Sequence, residues 1–326
     1  MPQASSTLPD PDGHHVLTLT ASGAGQQPLA NFVFADASPV WPSTGIGLEW
    51  LGGDLRCEQW MVRAPVRFGH GERWHWSRNE DFLMVALQAT DSGDPAETTA
   101  RFYRELIATV RSAGYPHLLR IWNYLPDING GSGDNERYRR FCLGRGQALA
   151  EAGLEDQRMC AATAIGTYDN QLRLLALAGR APGHSVENPR QTSSWDYPAM
   201  YGPRSPAFAR ATGVPLADGR VALLISGTAS VVGHATAHPG DVLAQTDEAV
   251  SNIAALLYEA AGDLERPEIA RFGGDAAARV YVRHAEDWPA VHDRLRAHWP
   301  SLPLAGFHGD ICRRNLLMEI EAWHCA

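Results

Sequence analysis

The 326-residue sequence lacks the features that mark membrane, secreted and disulfide-rich proteins. It has no apolar run near the roughly 18 residues that a membrane span needs. Its first fifteen residues lack the basic and apolar regions of a secretion signal. The five cysteines are scattered without CxxC spacing, which does not favour a disulfide framework. We therefore expect a cytoplasmic protein with no membrane partner.

Positive charge is also scarce. The formal net charge is -9 at pH 7, which argues against a nucleic-acid partner because such proteins cluster Lys and Arg on one surface. An anionic small molecule would have to be bound by a local group of arginines rather than attracted over a long range.

Metal and cofactor motifs are missing, although the sequence has 13 histidines. None of them forms HExxH or a zinc-spaced cluster with cysteine. His234 and His238 are four residues apart but are followed at once by Pro239, which argues against a helical pair. No glycine-rich loop has the context of a phosphate site. We predict no metal and no cofactor.

The sequence does contain an order of elements that occurs twice. The first half begins with a loose tail (1–15), a short strand (15–20) and an irregular stretch (26–56). It then predicts strands at 59–66 and 82–88, a helix between Asp94 and Gly114, a strand at 118–122, a loop at 123–133 and a helix at 135–152. The second half predicts strands at 158–166, 172–178 and 221–226 around an irregular stretch (181–220), a helix after Asp241, a strand at 279–283, a helix near 288–299 and a last strand at 316–322. We expect an α+β fold of two related domains, residues 1–155 and 156–326, each a sheet with its helices on one face.

The last strand carries an unusual pair of carboxylates. Alternation places Leu316, Met318 and Ile320 on one face, and Glu319 and Glu321 on the other. If that second face is covered, the pKa of Glu319 rises and the side chain becomes a candidate general acid. The alternative is that both glutamates lie on the solvated side of an edge strand.

Arg145 is a second anomaly, because it falls within the apolar stripe of the helix at 135–152. It lies between Gly144 and Gly146, which weaken a helix but allow a close approach. A buried guanidinium is rarely left unpaired. Its partner is either an acid of the fold or an anionic ligand.

In the strand at 278–283, alternation places Arg279, Tyr281 and Arg283 on one face. If Glu319 shares that face, arginine, tyrosine and a carboxylic acid come together. Such a surface is a candidate site for a small molecule that carries carboxylates.

Several blocks of the sequence resemble the chorismatases, a bacterial family that releases pyruvate from chorismate. They are NYLPDIN (123–129), ERYRRFCLGR (136–145), DYPAMYGPR (196–204), ISGTASVVGH (225–234), YVR (281–283) and GDICRRNLLMEIEA (309–322). Part of this similarity extends to the RidA/YjgF group, whose fold is similar to chorismate mutase of the AroH type. The resemblance implies two such modules, with the active site in the second, near the domain interface.

The resemblance also implies roles for individual residues. Glu319 matches the family acid, which would protonate the enolpyruvyl methylene of chorismate. The residues expected to bind substrate or line the pocket are Arg145, Arg204, Arg283, Tyr197, Tyr201, Asn123 and Tyr138. Cys312, with a pKa lowered by Arg313 or Arg314, would act in a later step, or else shape a dry wall beside Gly227.

Cys312 and Gly227 resemble the subtype that forms 3-hydroxybenzoate through an arene oxide. The alternatives are a hydrolase that gives a dihydroxycyclohexadiene carboxylate and a branch that gives 4-hydroxybenzoate. Other classes are a RidA-like imine deaminase, which usually forms trimers, and a ligand-binding module without activity. Since the duplication is internal, we expect a monomer.

Overall fold

A computed structural model describes residues 14–19, 25–34, 41, 43–91 and 93–326. The tail expected at 1–15 lies outside the described residues except for its last two, and so does the predicted end of the first strand at residue 20. None of the helices within the described ranges has the length and apolarity needed to cross a membrane.

The described residues form twenty β-strands and four α-helices. Those of the first half are β1 (His14–Thr18), β2 (Gln26–Val33), β3 (Ser43–Thr44), β4 (Glu49–Gly53), β5 (Cys57–Arg63), β6 (Arg67–His70), β7 (Trp74–Arg78), β8 (Phe82–Thr90), α1 (Pro95–Ser112), β9 (His117–Pro126), α2 (Arg137–Glu151), β10 (Ala161–Thr167) and β11 (Gln171–Gly179). Those of the second half are β12 (His184–Val186), β13 (Ala211–Pro215), β14 (Val221–Ala229), β15 (Val231–Val232), β16 (Ala235–Thr236), α3 (Val242–Asp263), β17 (Ala276–Val282), α4 (Trp288–His298), β18 (Leu304–His308), β19 (Asp310–Ile311) and β20 (Met318–Cys325).

The two seven-stranded sheets have the same connectivity. The N-terminal sheet has the order β19-β10-β9-β11-β8-β7-β6, and the C-terminal sheet has the order β12-β13-β14-β20-β17-β18-β4. Along the chain, each unit has three antiparallel strands, then a helix, a strand, a second helix and another strand. The two strands on either side of the second helix are parallel to each other. A last strand then inserts antiparallel between the first three strands and the parallel pair. This repeated order confirms an α+β chain of two related units.

The helices begin where the capping chemistry predicts. The Asp94 side chain accepts a hydrogen bond from the backbone N–H of Ala96 at the start of α1, and Asp241 does the same for Ala244 at the start of α3. Gly114 follows Ala113, the residue that caps the C-terminus of α1, and has a φ of 83°, a left-handed conformation that favours glycine. The helices of each unit then pack on one face of its own sheet.

The other faces of the two sheets point towards each other. A third sheet of order β1-β5-β2-β3 packs between them, and together they bury a core that includes Phe32, Trp60, Trp122 and Trp323. The prediction that residues 26–56 are irregular is therefore wrong. The pairing of β2 with β5 shifts register between Pro28 and Ala30, which breaks the alternation that marks a strand in sequence.

Each large sheet receives an edge strand from the other half of the chain. β4 pairs with β18 in the C-terminal sheet, and β19 pairs with β10 in the N-terminal sheet. The N-terminal sheet also contains β10 and β11, so the sheets divide the chain near residue 180 and not at the expected boundary after residue 155. The reason is that the repeated unit ends with its inserted strand rather than with its second helix.

Other boundaries differ locally from the predictions. The stretch at 123–133 is not all loop, because β9 continues to Pro126, and the stretch at 181–220 contains β12 and β13. β17 ends one residue before Arg283. The predicted last strand begins two residues early, since Leu316 lies in the turn before β20 and packs in the core between the sheets. Met318 and Ile320 do share one face, under the helices of their unit.

Candidate active site

A cavity of about 430 Å³ lies between the two halves of the chain. Its walls come from β9, α2 and β10 of the first half and from β14, the turn before β20, and β20 of the second. The segment 191–210, with two short 3-10 turns, contributes the remaining wall. The predicted residues that the structure brings together here are Asn123, Tyr138, Arg145, Tyr197, Tyr201, Gly227, Cys312 and Glu319.

Glu319 lies on the face of β20 that is covered by the other sheet, and its side chain is only 5% exposed. The solvated edge-strand alternative is thus excluded. Burial and, to a lesser degree, the nearby carboxylate of Glu321 raise the pKa of Glu319 to about 8, while Arg120 and Arg210 oppose the shift. Among the described residues no hydrogen bond or ion pair is formed by the Glu319 carboxyl. Glu319 is therefore a neutral acid at pH 7, facing a cavity.

A β-bulge creates the space for this acid. The pairing of β14 with β20 shifts register between Ile225 and Thr228, so that one extra residue is accommodated around Gly227. A Cβ atom on Gly227 would overlap the carboxyl oxygen of Glu319. Its backbone N–H donates to Thr163 Oγ1 at 2.9 Å, across the boundary between the two sheets. A side chain at position 227 would thus displace the Glu319 carboxyl from its present position.

Arg145 enters the cavity from α2 with unused hydrogen-bonding capacity. Its side chain is 3% exposed, and its guanidinium lies 5.3 Å from the centre of the Tyr103 ring. Nε and Nη2 are buried without a partner, and no acid within the described part of the chain pairs with it. Gly144 and Gly146 permit the close contacts of α2 with α1 and with Arg204. A buried cation without a partner is costly, and an anionic ligand would remove that cost.

Arg210 is a second cavity arginine, and sequence reasoning missed it. It is 4% exposed, and its Nη2 donates to the Thr192 carbonyl at 2.7 Å and to the Tyr197 hydroxyl at 2.9 Å. Its Nε is buried, and no described residue accepts a hydrogen bond from it. The only sequence signal is that Arg210 immediately precedes an apolar strand, β13, within a stretch that lacks clear periodicity.

An aromatic and cationic layer covers one side of the cavity. The guanidinium of Arg313 lies 5.1 Å from the Tyr197 ring centre and 4.0 Å from that of Tyr201. Arg313 Nη1 also donates to the carbonyl oxygen of His234 at 2.8 Å, and the Tyr201 hydroxyl lies 3.3 Å from His234 Nδ1. These contacts join the segment 191–210 to the turn before β20.

Asn123 and Tyr138 form the floor on the side of the first half. The Asn123 amide accepts from the Tyr103 hydroxyl at 2.8 Å and donates to the Thr163 carbonyl at 2.9 Å, which fixes its orientation. Burial raises the pKa of Tyr138 well above its usual value, so its hydroxyl stays protonated.

Cys312 lines the cavity, but the prediction that Arg313 or Arg314 lowers the pKa of its thiol below the ordinary value is wrong. Burial and, to a lesser degree, the neighbouring Glu319 raise the pKa of the thiol to about 12, while Arg313 opposes the shift. Arg314 donates to the backbone carbonyls of Asn129 and Gly131 instead of approaching the thiol. Cys312 is therefore a neutral thiol at pH 7 and not a thiolate nucleophile.

Two arginines expected to bind the substrate do not line the cavity. Arg204 pairs with Asp156 at 2.6 Å. Arg283 pairs with Asp310 and donates to the carbonyls of Arg313 and Leu316 at 2.8 and 2.9 Å. Because β17 ends before Arg283, its side chain does not follow the alternation of the strand and instead holds the turn that carries Cys312. No group of three or more His, Cys, Asp or Glu side chains in the described ranges is placed to hold a metal ion.

The chain is 36% identical over 323 residues to a chorismatase of Streptomyces hygroscopicus, an overlap of 96% of this chain and 90% of that protein. This chain belongs to the chorismatase family. The model of the N-terminal region of FkbO/Hyg5-like chorismatases matches residues 58–178. A 3-hydroxybenzoate synthase of the same organism is 37% identical over 86% of this chain and 85% of its own length. A crystal structure of a chorismatase superposes with a TM-score of 0.78 at 35% identity, covering 92% of each chain.

Proposed function

We propose that this chorismatase converts chorismate into 3-hydroxybenzoate and pyruvate. The observation that carries the proposal is a cavity whose lining joins a neutral carboxylic acid, Glu319, to two buried arginines with unused donors. Relatives named chorismatase and 3-hydroxybenzoate synthase support the substrate and the reaction.

The charge of the cavity suits chorismate, which carries a ring carboxylate and an enolpyruvyl carboxylate. Arg145 offers Nε and Nη2, the pair of donors that binds a carboxylate bidentately, and Arg210 offers Nε. The described part of the fold uses none of these three nitrogens as a hydrogen-bond donor. We assign one substrate carboxylate to each arginine.

Glu319 begins the reaction by donating its proton to the terminal methylene carbon of the enolpyruvyl group. The bond between ring carbon 3 and the ether oxygen then breaks, and its electron pair leaves with that oxygen as the ketone of pyruvate. Such general acid catalysis contributes about 10²–10⁴-fold. The acid must be protonated, so activity should fall as the pH rises through about 8.

The hydroxyl on ring carbon 4 next attacks ring carbon 3 and forms an arene oxide. Its proton passes to the carboxylate that Glu319 has become. The oxide opens by cleavage of its bond to carbon 4, carbon 3 loses its hydrogen as a proton, and the oxygen gains one. The sum of these steps consumes no water, and the layer of Tyr197, Tyr201 and Arg313 over the cavity suits a reaction from which water must be excluded.

Cys312 and Gly227 support the 3-hydroxybenzoate outcome. The neutral thiol of Cys312 forms a small wall of the cavity beside Glu319, and it can also donate a proton to the opening oxide. Gly227 leaves room for the carboxyl of Glu319.

The test is incubation of purified protein with chorismate in a chelating buffer, with separation and quantification of the products. We expect one 3-hydroxybenzoate for each pyruvate. Pyruvate accompanied by 4-hydroxybenzoate or a dihydrodiol would refute the subtype, and no pyruvate would refute the function. Activity that is lost on chelation and restored by a divalent ion would refute the metal-independent mechanism.

A further inference from the structure

Behind the cavity lies a group of four buried charges that the proposed reaction does not use. Arg279 binds Glu58 with Nε at 3.0 Å and Nη2 at 2.5 Å, and its Nη1 lies 3.2 Å from Glu321 Oε1. Arg120 Nη2 donates to Glu321 Oε2 at 2.7 Å. All four side chains are buried. We call this cluster the buried ion network, and its two cations balance its two carboxylates.

The buried ion network reaches the cavity through one hydroxyl. Arg120 Nη2 donates to Thr163 Oγ1 at 2.6 Å, and the same oxygen accepts from the backbone N–H of Gly227 at 2.9 Å. Thr163 and Gly227 both line the cavity, and Gly227 lies directly against the carboxyl of Glu319. A continuous series of contacts therefore connects Glu321 with the site of the acid.

Glu321 is also close to Glu319 along the strand. The two residues occupy the same face of β20 two positions apart, which corresponds to about 7 Å. At that distance a fixed negative charge opposes ionisation of its neighbour, and a fixed positive charge favours it. Glu321 and Arg120 thus act on Glu319 with opposite sign.

We propose, on the basis of the proposed function, that Glu321 and Arg120 are positioning residues for Glu319. Glu321 keeps the acid loaded with its proton before the reaction, and Arg120 stabilises the carboxylate that donation leaves behind. The proton leaves on the substrate methylene and returns from the substrate hydroxyl, so the buried ion network itself exchanges no proton.

Other groups face Glu319 from every element around it. They are Tyr281 on β17, Tyr138 and Arg145 on α2, Arg210 before β13, and Cys312 before β20. Burial raises the pKa of Tyr281, Tyr138 and Cys312, so these three stay neutral near pH 7. The arginines that line the cavity, among them Arg145, Arg210 and Arg313, are unchanged in the variants below, so only the charges of Glu321 and Arg120 differ between the enzymes.

The experiment compares pH profiles of kcat/KM for pyruvate release from chorismate by wild type, Glu321→Gln and Arg120→Met. We expect the alkaline midpoint of Glu321→Gln to fall, and that of Arg120→Met to rise, by about 1–2 pH units each. Glu58→Gln is the matched control: it removes a carboxylate of the same network that contacts Arg279 but not Arg120. Its midpoint should move less than that of either variant.

The double variant Arg120→Met/Glu321→Gln keeps the test possible if a single variant fails to fold. It removes one charge of each sign and leaves the Arg279–Glu58 pair intact. Glu321 acts on Glu319 more strongly than Arg120 does. The alkaline midpoint of the double variant should therefore lie below that of wild type and above that of Glu321→Gln. Midpoints that do not move, or that move in the same direction in the two single variants, would overturn the proposal, since a purely structural role lowers activity without opposite shifts.

A direct titration separates this inference from the proposed function. The ¹³C signal of the Glu319 carboxyl, assigned by its absence in Glu319→Gln, reports the protonation of the acid whatever substrate the enzyme uses. If wild type releases no pyruvate but the signal shifts oppositely in the two variants, the function is wrong and the inference stands. If pyruvate is released and the signal titrates alike in all variants, the inference is wrong.

Discussion

Two groups of buried arginines occur in this protein, and they differ in whether the described residues supply their partners. In the buried ion network, Arg279 contacts both Glu58 and Glu321, and Arg120 contacts Glu321. In the cavity, Arg145 and Arg210 retain buried nitrogens that have no partner in the described ranges. The fold completes the first group by itself, whereas the second group retains donors that we assign to an anionic substrate in the proposed function.

The carboxylates show the same difference. Glu321 accepts hydrogen bonds from Arg120, Arg279, Trp122 and Tyr281. Glu319, two residues earlier on the same face, accepts none among the described residues, and burial raises its pKa to about 8. Two glutamates with nearly the same sequence context therefore have different chemistry, because different side chains approach them from the other sheet and from the neighbouring strand β17.

Replacement of Glu319 by glutamine is the strongest test of this difference. Glu319→Gln keeps the shape of the neutral acid but cannot donate its proton, so turnover should fall by about 10²–10⁴-fold while chorismate still binds. The variant should be at least as stable as wild type near pH 7. The folded-state pKa of Glu319 is raised, so its contribution to stability is complete below the unfolded-state pKa and is lost as the pH rises through about 8.

Steady-state pyruvate release measures the loss of turnover. Urea unfolding at several pH values measures the stability of Glu319→Gln relative to wild type. Near-normal turnover of Glu319→Gln would mean that another group supplies the proton.

Arg145→Met and Arg279→Met test the two groups of arginines against each other. Arg145→Met removes a cation without a partner, so the affinity for chorismate should fall by about one to two decades with little loss of stability. Arg279→Met leaves Glu58 and Glu321 with less compensation and should lower the free energy of unfolding by about 3–5 kcal/mol. Calorimetry in the Glu319→Gln background, where substrate is not consumed, and urea unfolding provide the two measurements.

Arg204→Met is the control for this pair, because Arg204 lies beside α2 but pairs with Asp156 outside the cavity lining. Its affinity for chorismate should stay close to that of the parent. If Arg145→Met behaved like Arg204→Met in binding, the missing partner of Arg145 would not be the substrate.

The smallest effect is expected at Cys312. Cys312→Ala enlarges the cavity and removes a neutral proton donor, so pyruvate release should continue while the share of 3-hydroxybenzoate among the products falls. Chromatography of the product mixture measures this share, and Cys312→Ser, which retains a proton donor, is the control. Identical mixtures from all three enzymes would remove Cys312 from the later steps.

The sequence predicted most of the elements that carry strong periodicity. Both long helices with capping aspartates, the alternation of Met318, Glu319 and Ile320, and the repeated order of elements agree with the structure. It failed where periodicity is interrupted, as in β2, where Pro28 precedes a register shift, and in β13 within the segment 181–220. Arg210 was missed for this reason.

The sequence by itself determined which side chains share a face, because alternation along a strand is a local property. It placed Glu319 on the face opposite Ile320 and Arg145 on the apolar side of α2. Only the tertiary structure decided what those side chains meet. Arg120 from β9 reaches Glu321, no acid among the described residues reaches Arg145, and Arg283 turns to the backbone before β20. These contacts join residues up to 201 positions apart, and their distances depend on how two sheets pack, which no local pattern encodes.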